Sequence, residues 1–310
     1  MNITTILGLG QTALELGLIS SLTVLALFLS YSMLNVCDLS TDGCFTFGAT
    51  VGAVVAISGH PLLSIPAAML AGVLSGFVTA FLQTSMGIDS LLAGIIVNTA
   101  LYSVNIAVMG NTSLLNMNRT ETVFTKAKTL FEGTFAAKQY KLIVILIAVA
   151  AVVLFLSLFL RTKLGLAIRA TGDNPDMVRS SSINPLFTTT IGLCIANAFT
   201  ALSGCLLAQS QKSVNIDIGP GMVTVALASL LIGRAFMGKG KIALRAIGAV
   251  LGSVIFRLVY TVALRLNMPA FMLKAVSSVI VIIAISWPYL KKQLPNIKRR
   301  MLLRRERRSA

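Results

Sequence analysis

The amino-acid sequence predicts an all-α protein that crosses a membrane about nine times. Of its 310 residues, 56% are hydrophobic and only 12% are charged, and the mean hydropathy is +0.87. An average soluble domain carries about 25% charged residues, so a water-soluble fold would expose too much apolar surface. Several long stretches lack Asp, Glu, Lys and Arg altogether. Each is long enough for a membrane-spanning helix of about 20 residues.

The predicted spans follow these charge-free stretches along the chain, and about eight to ten spans fit the pattern. We place them near residues 13–35, 44–59, 61–84, 88–109, 140–160, 186–207, 217–236, 243–264 and 269–290. The second span is short enough to be a half-helix. Small residues four positions apart, such as Gly48 and Gly52, allow close approach of neighbouring helices. They therefore predict a tightly packed bundle.

The chain is predicted to form a single transmembrane domain built from two repeats. The divisions are a first repeat at 1–160, a cytoplasmic coupling region at 161–185, a second repeat at 186–290 and a basic cytoplasmic tail at 291–310. In each repeat an apolar helix is followed by a polar break that contains Gly and then by a helix rich in small residues. Five spans separate the two units, so they should face opposite ways across the membrane. Inverted repeats broken at matching positions are typical of transporters, and chance similarity is the alternative.

The net charge of +16 at pH 7 is interpreted as a topology signal, not as a sign of nucleic-acid binding. Basic residues cluster after the fifth span, after the seventh span and in the tail, which holds nine of the 26 Lys and Arg residues. Positively charged connections favour the cytoplasmic side, and the tail should lie near anionic membrane lipid. Nine spans then put the N-terminus outside and the C-terminus in the cytoplasm. The loop 110–141 falls outside although it carries five basic residues.

A polar segment between the fifth and sixth spans is predicted to hold a short exposed helix. Asp173 or Asn174 can cap a helix whose first turn contains Pro175 and Asp176. Such a helix is suited to docking on a cytoplasmic partner, although an ordinary loop helix fits the pattern equally well. The candidate coupling residues are Gly172, Asp173, Asn174, Pro175, Asp176, Met177 and Arg179.

Polar residues in or beside the spans are candidates for a solute pathway, because burial in lipid requires partners or water. Asp38 and Asp42 follow the first span, and Asp217 lies at the matching break after the sixth. A carboxylate there can bind a solute ammonium, and the amides of a half-helix N-terminus can bind a solute carboxylate. Capping of the broken helices is the alternative. The full candidate set is Asp38, Asp42, Phe45, Asn98, Tyr102, Asn105, Asn197 and Asp217.

Three of these residues, Asn98, Tyr102 and Asn105, fall on one face of the fourth span. The stripe faces either protein or a pathway. Arg257 lies in the middle of the eighth span and is expected to pair with a buried acidic residue or to reach interfacial water.

Nothing in the sequence predicts bond chemistry in this chain. A single His leaves little for acid–base or metal chemistry, and catalytic motifs such as HExxH are absent. Residues 233–240 nearly match a phosphate-binding loop, but Gly240 stands where Ser or Thr must hold magnesium. We therefore expect no catalytic residue, no metal and no cofactor.

Four stretches resemble, in family order, the permeases of ABC importers of the branched-chain amino acid and ribose type, and above all their subgroup associated with tryptophan and tyrosine uptake. They are GLAIRATGDNPDMVR at 165–179, DLSTDGCFTFGA at 38–49, LLAGI with TALYSVN at 91–105, and DIG with LASLLIG at 217–233. In that family the coupling helix inserts into a cleft of the ATP-hydrolysing subunit.

The resemblance implies a homodimer that works with two cytoplasmic ABC ATPase subunits and an extracytoplasmic substrate-binding protein. ATP and magnesium are then expected on the ATPase subunits. The implied function is import of a small amphipathic solute, an aromatic or hydrophobic amino acid, by alternating access. An ion-coupled secondary transporter and an ABC permease for a sugar or nucleoside are the alternatives.

Overall fold

The computed structural model describes residues 3–132, 139–237 and 240–265, together with positions 275, 278–283 and 286. Nearly all of the described chain is helical. The helices are α1 (Ile3–Leu27), which continues as a π-helical segment (Phe28–Met33), α2 (Thr41–Ile57), α3 (Ser64–Thr84), α4 (Ser90–Val108), α5 (Val123–Phe131), α6 (Tyr140–Phe159), α7 (Lys163–Asp173), α8 (Pro175–Ser180), α9 (Pro185–Gln211), a 3-10 turn (Ile216–Ile218), α10 (Met222–Met237) and α11 (Ile242–Arg265). Two short strands, β1 (Leu114–Asn116) and β2 (Ser213–Asn215), pair antiparallel.

Seven helices within the described residues are long and apolar enough to cross a membrane. Together with α2 they match the first eight predicted spans, with every boundary within four residues. The ninth predicted span lies largely outside the described residues, as does the basic tail. The prediction of an all-α polytopic membrane protein is confirmed. As expected, α2 is short, with 17 residues against the about 20 that a full span needs.

The centre of the bundle is α9, which packs against α1, α2 and α3 and is buried along most of its length. Glycines make this packing possible. A Cβ at Gly48 of α2 would overlap the backbone of Ala201, and a Cβ at Gly72 of α3 would lie 2.7 Å from the Cβ of Ala201. Close backbone approach through small residues replaces the hydrophobic force that lipid does not supply between helices.

The connections between the helices are divided between the two ends of the bundle. Arg245, at the start of α11, donates to Ser32 (2.9 Å) in the π-helical segment, which contacts Gly172 of α7. The α7–α8 region and the α10–α11 connection therefore share one end. At the other end the backbone N–H of Val123 donates to Gln209 Oε1 (2.8 Å) near the end of α9, and β1 pairs with β2. This division agrees with the predicted topology.

Two half-helices leave the middle of the bundle in opposite directions. α2 begins where Cys44 contacts the carbonyl oxygen of Asn197 at the middle of α9, and it runs toward the β1–β2 end. α10 begins beside Asp42 and runs toward the α7–α8 end, where Gly233 packs on Gly248 of α11. These opposite directions are those expected of an inverted repeat. Since α10 is a helix through Gly233, the near-match to a phosphate-binding loop has no loop at its first glycine.

We predict that Gly48→Ala lowers the free energy of unfolding by about 1–3 kcal/mol, because the added methyl overpacks the α2–α9 contact. The control is Gly8→Ala in α1, where a Cβ meets no atom within 4 Å. Thermal unfolding of both variants in detergent measures the difference. Equal midpoints for the two variants would contradict the packing role of Gly48.

Candidate functional site

The break between α1 and α2 is fixed by a buried carboxylate. Asp38 is 1% exposed, and its Oδ1 accepts from the backbone N–H (2.8 Å) and the hydroxyl (2.6 Å) of Ser40. Its Oδ2 accepts from Asn197 Nδ2 (2.8 Å) on α9. Both oxygens are therefore engaged by the protein. This arrangement matches the capping alternative for Asp38, since a solute ammonium would have to displace these donors.

The second carboxylate of the same break caps a different helix. Asp42 Oδ2 accepts from the backbone N–H of Gly221 (2.9 Å), and Oδ1 accepts from the backbone N–H of Val223 (2.8 Å). These amides open α10, where helix N–H groups have no partner within the helix and the helix dipole is positive. The protein's own carboxylate thus occupies the half-helix N-terminus that the sequence analysis considered for a solute carboxylate.

A polar cavity of about 340 Å³ lies beside this junction. Its wall is formed by α2, by the polar stripe of α4 and by the break before α10. The lining residues are Asp42, Gly43, Thr46, Asn98, Thr99, Tyr102, Ser103, Asn105, Ile216 and Pro220. The volume lies within the range of small-molecule sites, about 300–1,000 Å³. The cavity combines amides, hydroxyls and an aromatic ring, so it can contact both polar and apolar parts of a small solute.

The structure brings four of the eight candidate pathway residues into this lining: Asp42, Asn98, Tyr102 and Asn105. The predicted stripe on α4 therefore faces the cavity, and Asn105 also donates to the carbonyl oxygen of Gly43 (3.3 Å). Thr99 and Ser103 extend the same stripe and were missed. Thr99 lies three residues before Tyr102, and Ser103 lies four residues after Thr99, and this helical spacing was the signal that could have identified them.

The other four candidates lie elsewhere in this structure. Phe45 differs most from expectation, because its ring is fully buried in the apolar core. Asp38 and Asn197 bond to each other behind the cavity wall. Asp217 is exposed in the 3-10 turn, and its carboxylate takes no part in the junction that Asp42 forms. The symmetry between the two breaks therefore extends to the backbone but not to the role of the carboxylates.

Arg257 has neutral partners within the described residues. Its guanidinium donates to Ser20 Oγ (3.2 and 3.0 Å) and lies over the ring of Tyr260 at 5.6 Å. The expected pairing with a buried acidic residue is not found in the described part of the chain. A cation–π contact and a hydroxyl replace it.

A larger cavity of about 780 Å³ lies between α3, α6 and α9. Its lining is apolar apart from the thiol of Cys194. A zwitterionic solute would lose its hydration there without gaining hydrogen bonds, which is costly. The smaller polar cavity is therefore the candidate solute site.

The predicted short helix is present as α8. Asn174 is its N-cap and accepts from the backbone N–H groups of Asp176 (3.0 Å) and Met177 (3.1 Å), and Pro175 occupies the first turn. Of the helix residues only Val178 is buried, which anchors α8 to the bundle. The remaining candidate coupling residues around it are exposed except Gly172, which packs against the π-helical segment. The structure thus presents a capped, exposed helix at one end of the bundle. We call this helix, with its cap Asn174, the knob.

Repeated apolar spans, two helix breaks around a polar cavity and an exposed knob define a membrane transport protein. The chain belongs to the family of branched-chain amino acid transport system permease components, whose profile matches residues 11–285. It is 31% identical over 266 residues to a tyrosine transport system permease protein of Clostridioides difficile (strain R20291). The aligned region covers 86% of each chain. It is also 32% identical over 227 residues to an uncharacterized protein of Rickettsia prowazekii (strain Madrid E), covering 72% of this chain and 76% of that protein. No solved structure matches.

The chain is therefore a multi-pass membrane protein and a permease component of an amino acid transport system. This placement agrees with the resemblance seen in the sequence motifs. The family makes it a membrane subunit of a transporter.

We predict that Asp42→Ala lowers the free energy of unfolding by about 1–3 kcal/mol, because it leaves two N–H groups of α10 without their acceptor. Asp42→Asn keeps one side-chain acceptor and should lose about half as much. Asp217→Ala, at the other break, is the matched control and should change little. Thermal unfolding measures all three variants. Faster hydrogen exchange at Gly221 and Val223 in Asp42→Ala should accompany the loss, and unchanged exchange there would contradict the cap.

Proposed function

We propose that this chain is the permease subunit of an ATP-driven ABC importer for an amino acid with an aromatic or other hydrophobic side chain. The observation that carries the proposal is α8, an exposed and capped helix at the opposite end of the bundle from the β1–β2 pair. A stand-alone carrier has no use for such a knob. Two cytoplasmic ATPase subunits, each with ATP and magnesium, would bind it around Asn174–Met177 and drive alternating access.

The chemistry of the polar cavity supports an amphipathic solute. Asn98 and Asn105 offer amides, Thr99 and Ser103 offer hydroxyls, and Tyr102 offers a ring that can stack on an aromatic side chain. Asp42 adds negative charge that attracts an ammonium while its oxygens hold α10. The name of the Clostridioides relative, a tyrosine permease, supports an aromatic amino acid over a sugar or nucleoside.

The exposed half of the cavity wall supports a homodimer. Tyr102 is 52% exposed, and Thr99 and Ser103 are exposed beside it on α4. Polar groups turned toward lipid are costly, so a second copy of the chain against this face would cover them and enclose the path. An extracytoplasmic substrate-binding protein would deliver solute at the end that carries β1, β2 and α5. In this arrangement the N-terminus is outside, and the C-terminus and α8 are on the cytoplasmic side of a bacterial inner membrane.

The main alternative is an ion-coupled secondary transporter that uses the intramembrane carboxylates. Asp38 and Asp42 accept hydrogen bonds from the protein with all four oxygens, which leaves them poorly suited to cycle a coupling ion. Deletion of the gene that encodes the partner ATPase separates the two proposals. Loss of uptake supports the importer, and unchanged uptake supports the carrier.

We predict that Asp176→Lys reduces uptake at least about tenfold, because a reversed charge in a docking surface costs several kcal/mol. The protein should remain folded, since Asp176 is exposed and buries nothing in the bilayer. Asp176→Glu is the control, because it keeps the negative charge at the same exposed position and should keep uptake. Uptake of labelled amino acid by cells and size-exclusion profiles of the purified variants give the comparison. Normal uptake by Asp176→Lys would contradict the docking role.

We predict that Asn98→Leu raises the KM for uptake about tenfold, since a hydrogen bond to a charged solute contributes about 1.5–3 kcal/mol. Asn98→Gln is the matched control, because it keeps the amide, and it should raise the KM less than Asn98→Leu does. The measurement is concentration-dependent uptake at equal protein level. An unchanged KM in Asn98→Leu would exclude the polar cavity as the solute site.

A further inference from the structure

One stretch of chain, residues 33–42, runs from α7 to the wall of the polar cavity, and we name it the connector. It begins with Met33, the last residue of the π-helical segment, and ends with the first two residues of α2. Along its length it contacts four other helices, α7, α9, α4 and α10.

The first residues of the connector, Met33 and Leu34, contact α7. Gly172 packs on their backbone, where a Cβ would overlap the carbonyl oxygen of Met33 and lie 2.8 Å from the carbonyl carbon of Leu34. The Leu34 side chain is 3% exposed, and a Cβ at Gly192 of α9 would lie 3.1 Å from Leu34 Cδ2 and 3.8 Å from Ile168 Cγ2 of α7. Packed interiors have low compressibility, so these contacts are suited to pass a displacement of α7 to Leu34.

The middle of the connector is bent and anchored. Asn35 has a left-handed backbone with φ of 56°, which reverses the chain toward the centre of the bundle. Asp38 is bonded to Asn197 of α9, and a Cβ at Gly94 of α4 would lie 2.7 Å from the backbone nitrogen of Leu39. The connector is thus enclosed by α4 and α9.

The connector ends at Asp42. Its carboxylate accepts hydrogen bonds from the N–H groups at the start of α10, and it lines the cavity. Displacement of Asp42 changes two things at once. It moves the wall beside Asn98, and it releases or tightens the amides of Gly221 and Val223. A continuous set of contacts thus joins the base of the knob to the solute site.

We propose that the connector transmits displacement of α7 and α8 to the cavity, and that Gly172 and Leu34 are positioning residues for transport. The proposal rests on the proposed function, in which partner subunits move α8. Neither residue touches solute, since neither lies in the cavity lining. Gly172 acts by letting α7 press on backbone, and Leu34 acts by filling the space between α7 and α9.

The test follows a reporter in the cavity while the knob end is altered. Ser103→Cys places a thiol on the exposed cavity wall of α4, and its modification by N-ethylmaleimide is followed by mass spectrometry of the peptide that contains it. Gly172→Ala and Leu34→Ala are compared in this background. Gly10→Ala is the control for the first, because a Cβ there meets nothing within 4 Å. Leu156→Ala in α6 is the control for the second, because it removes an equally buried Leu outside the connector.

We expect Gly172→Ala and Leu34→Ala to change the labelling rate of Cys at position 103 by about two- to thirtyfold, the range of effects on coupling between distant sites. The controls should stay within about twofold of the parent, the lower limit of such effects. Hydrogen exchange at Gly221 and Val223 should change in the same two variants. Rates equal to the controls would overturn the proposal, and so would an equal effect of Leu156→Ala, which would assign the change to lost stability.

If Gly172→Ala does not fold, the comparison of Leu34→Ala with Leu156→Ala still tests whether the connector transmits displacement. Labelling and exchange use the purified permease chain alone, without ATPase or binding protein. Failure of the proposed function would appear as uptake that persists without the ATPase, whereas failure of the connector would appear as an unresponsive reporter. The two failures are therefore distinguishable.

Discussion

The structure depends on how backbone polar groups are satisfied where helices begin inside the bundle. A span that runs through the bilayer bonds its own backbone, but a half-helix exposes N–H groups in a region with little water. α10 starts in such a place, and Asp42 supplies acceptors for two of its amides. That side chain bonds the start of α2 to the start of α10. Polar side chains beside Asp42 line the cavity.

The same constraint explains why the two breaks look alike in sequence and differ in use. Both need a polar, flexible stretch, so both carry an Asp and a Gly. Once Asp42 reaches across to α10, the carboxylate of Asp217 has no half-helix left to cap and lies exposed. The carboxylate of Asp38 accepts hydrogen bonds from Ser40 and Asn197. Pairing between the breaks is therefore asymmetric, even though the half-helices run in opposite directions.

Sequence patterns correctly predicted the structural features that depend on residues close together in the chain. The apolar stretches placed the first eight spans, and Asn174 with Pro175 placed the start of α8, because caps act within three residues. The polar stripe of α4 also followed from spacing alone. The partners of Asp38 and Asp42 did not, because they lie 159 and 179 residues away in the chain. Phe45 was assigned to the pathway from its motif, but packing against α9 buries it. α7 and the β1–β2 pair carried no signal strong enough for prediction.

The distance along the chain between Asp38 and its partner has a consequence for biogenesis. The amide of Asn197 follows 159 residues after the carboxylate that it binds. At about 5–20 residues per second, the ribosome needs roughly 8–32 seconds to make that interval. During this interval Asp38 lacks its partner on α9. The break between α1 and α2 therefore reaches its final hydrogen bonding only after the central helix has been made.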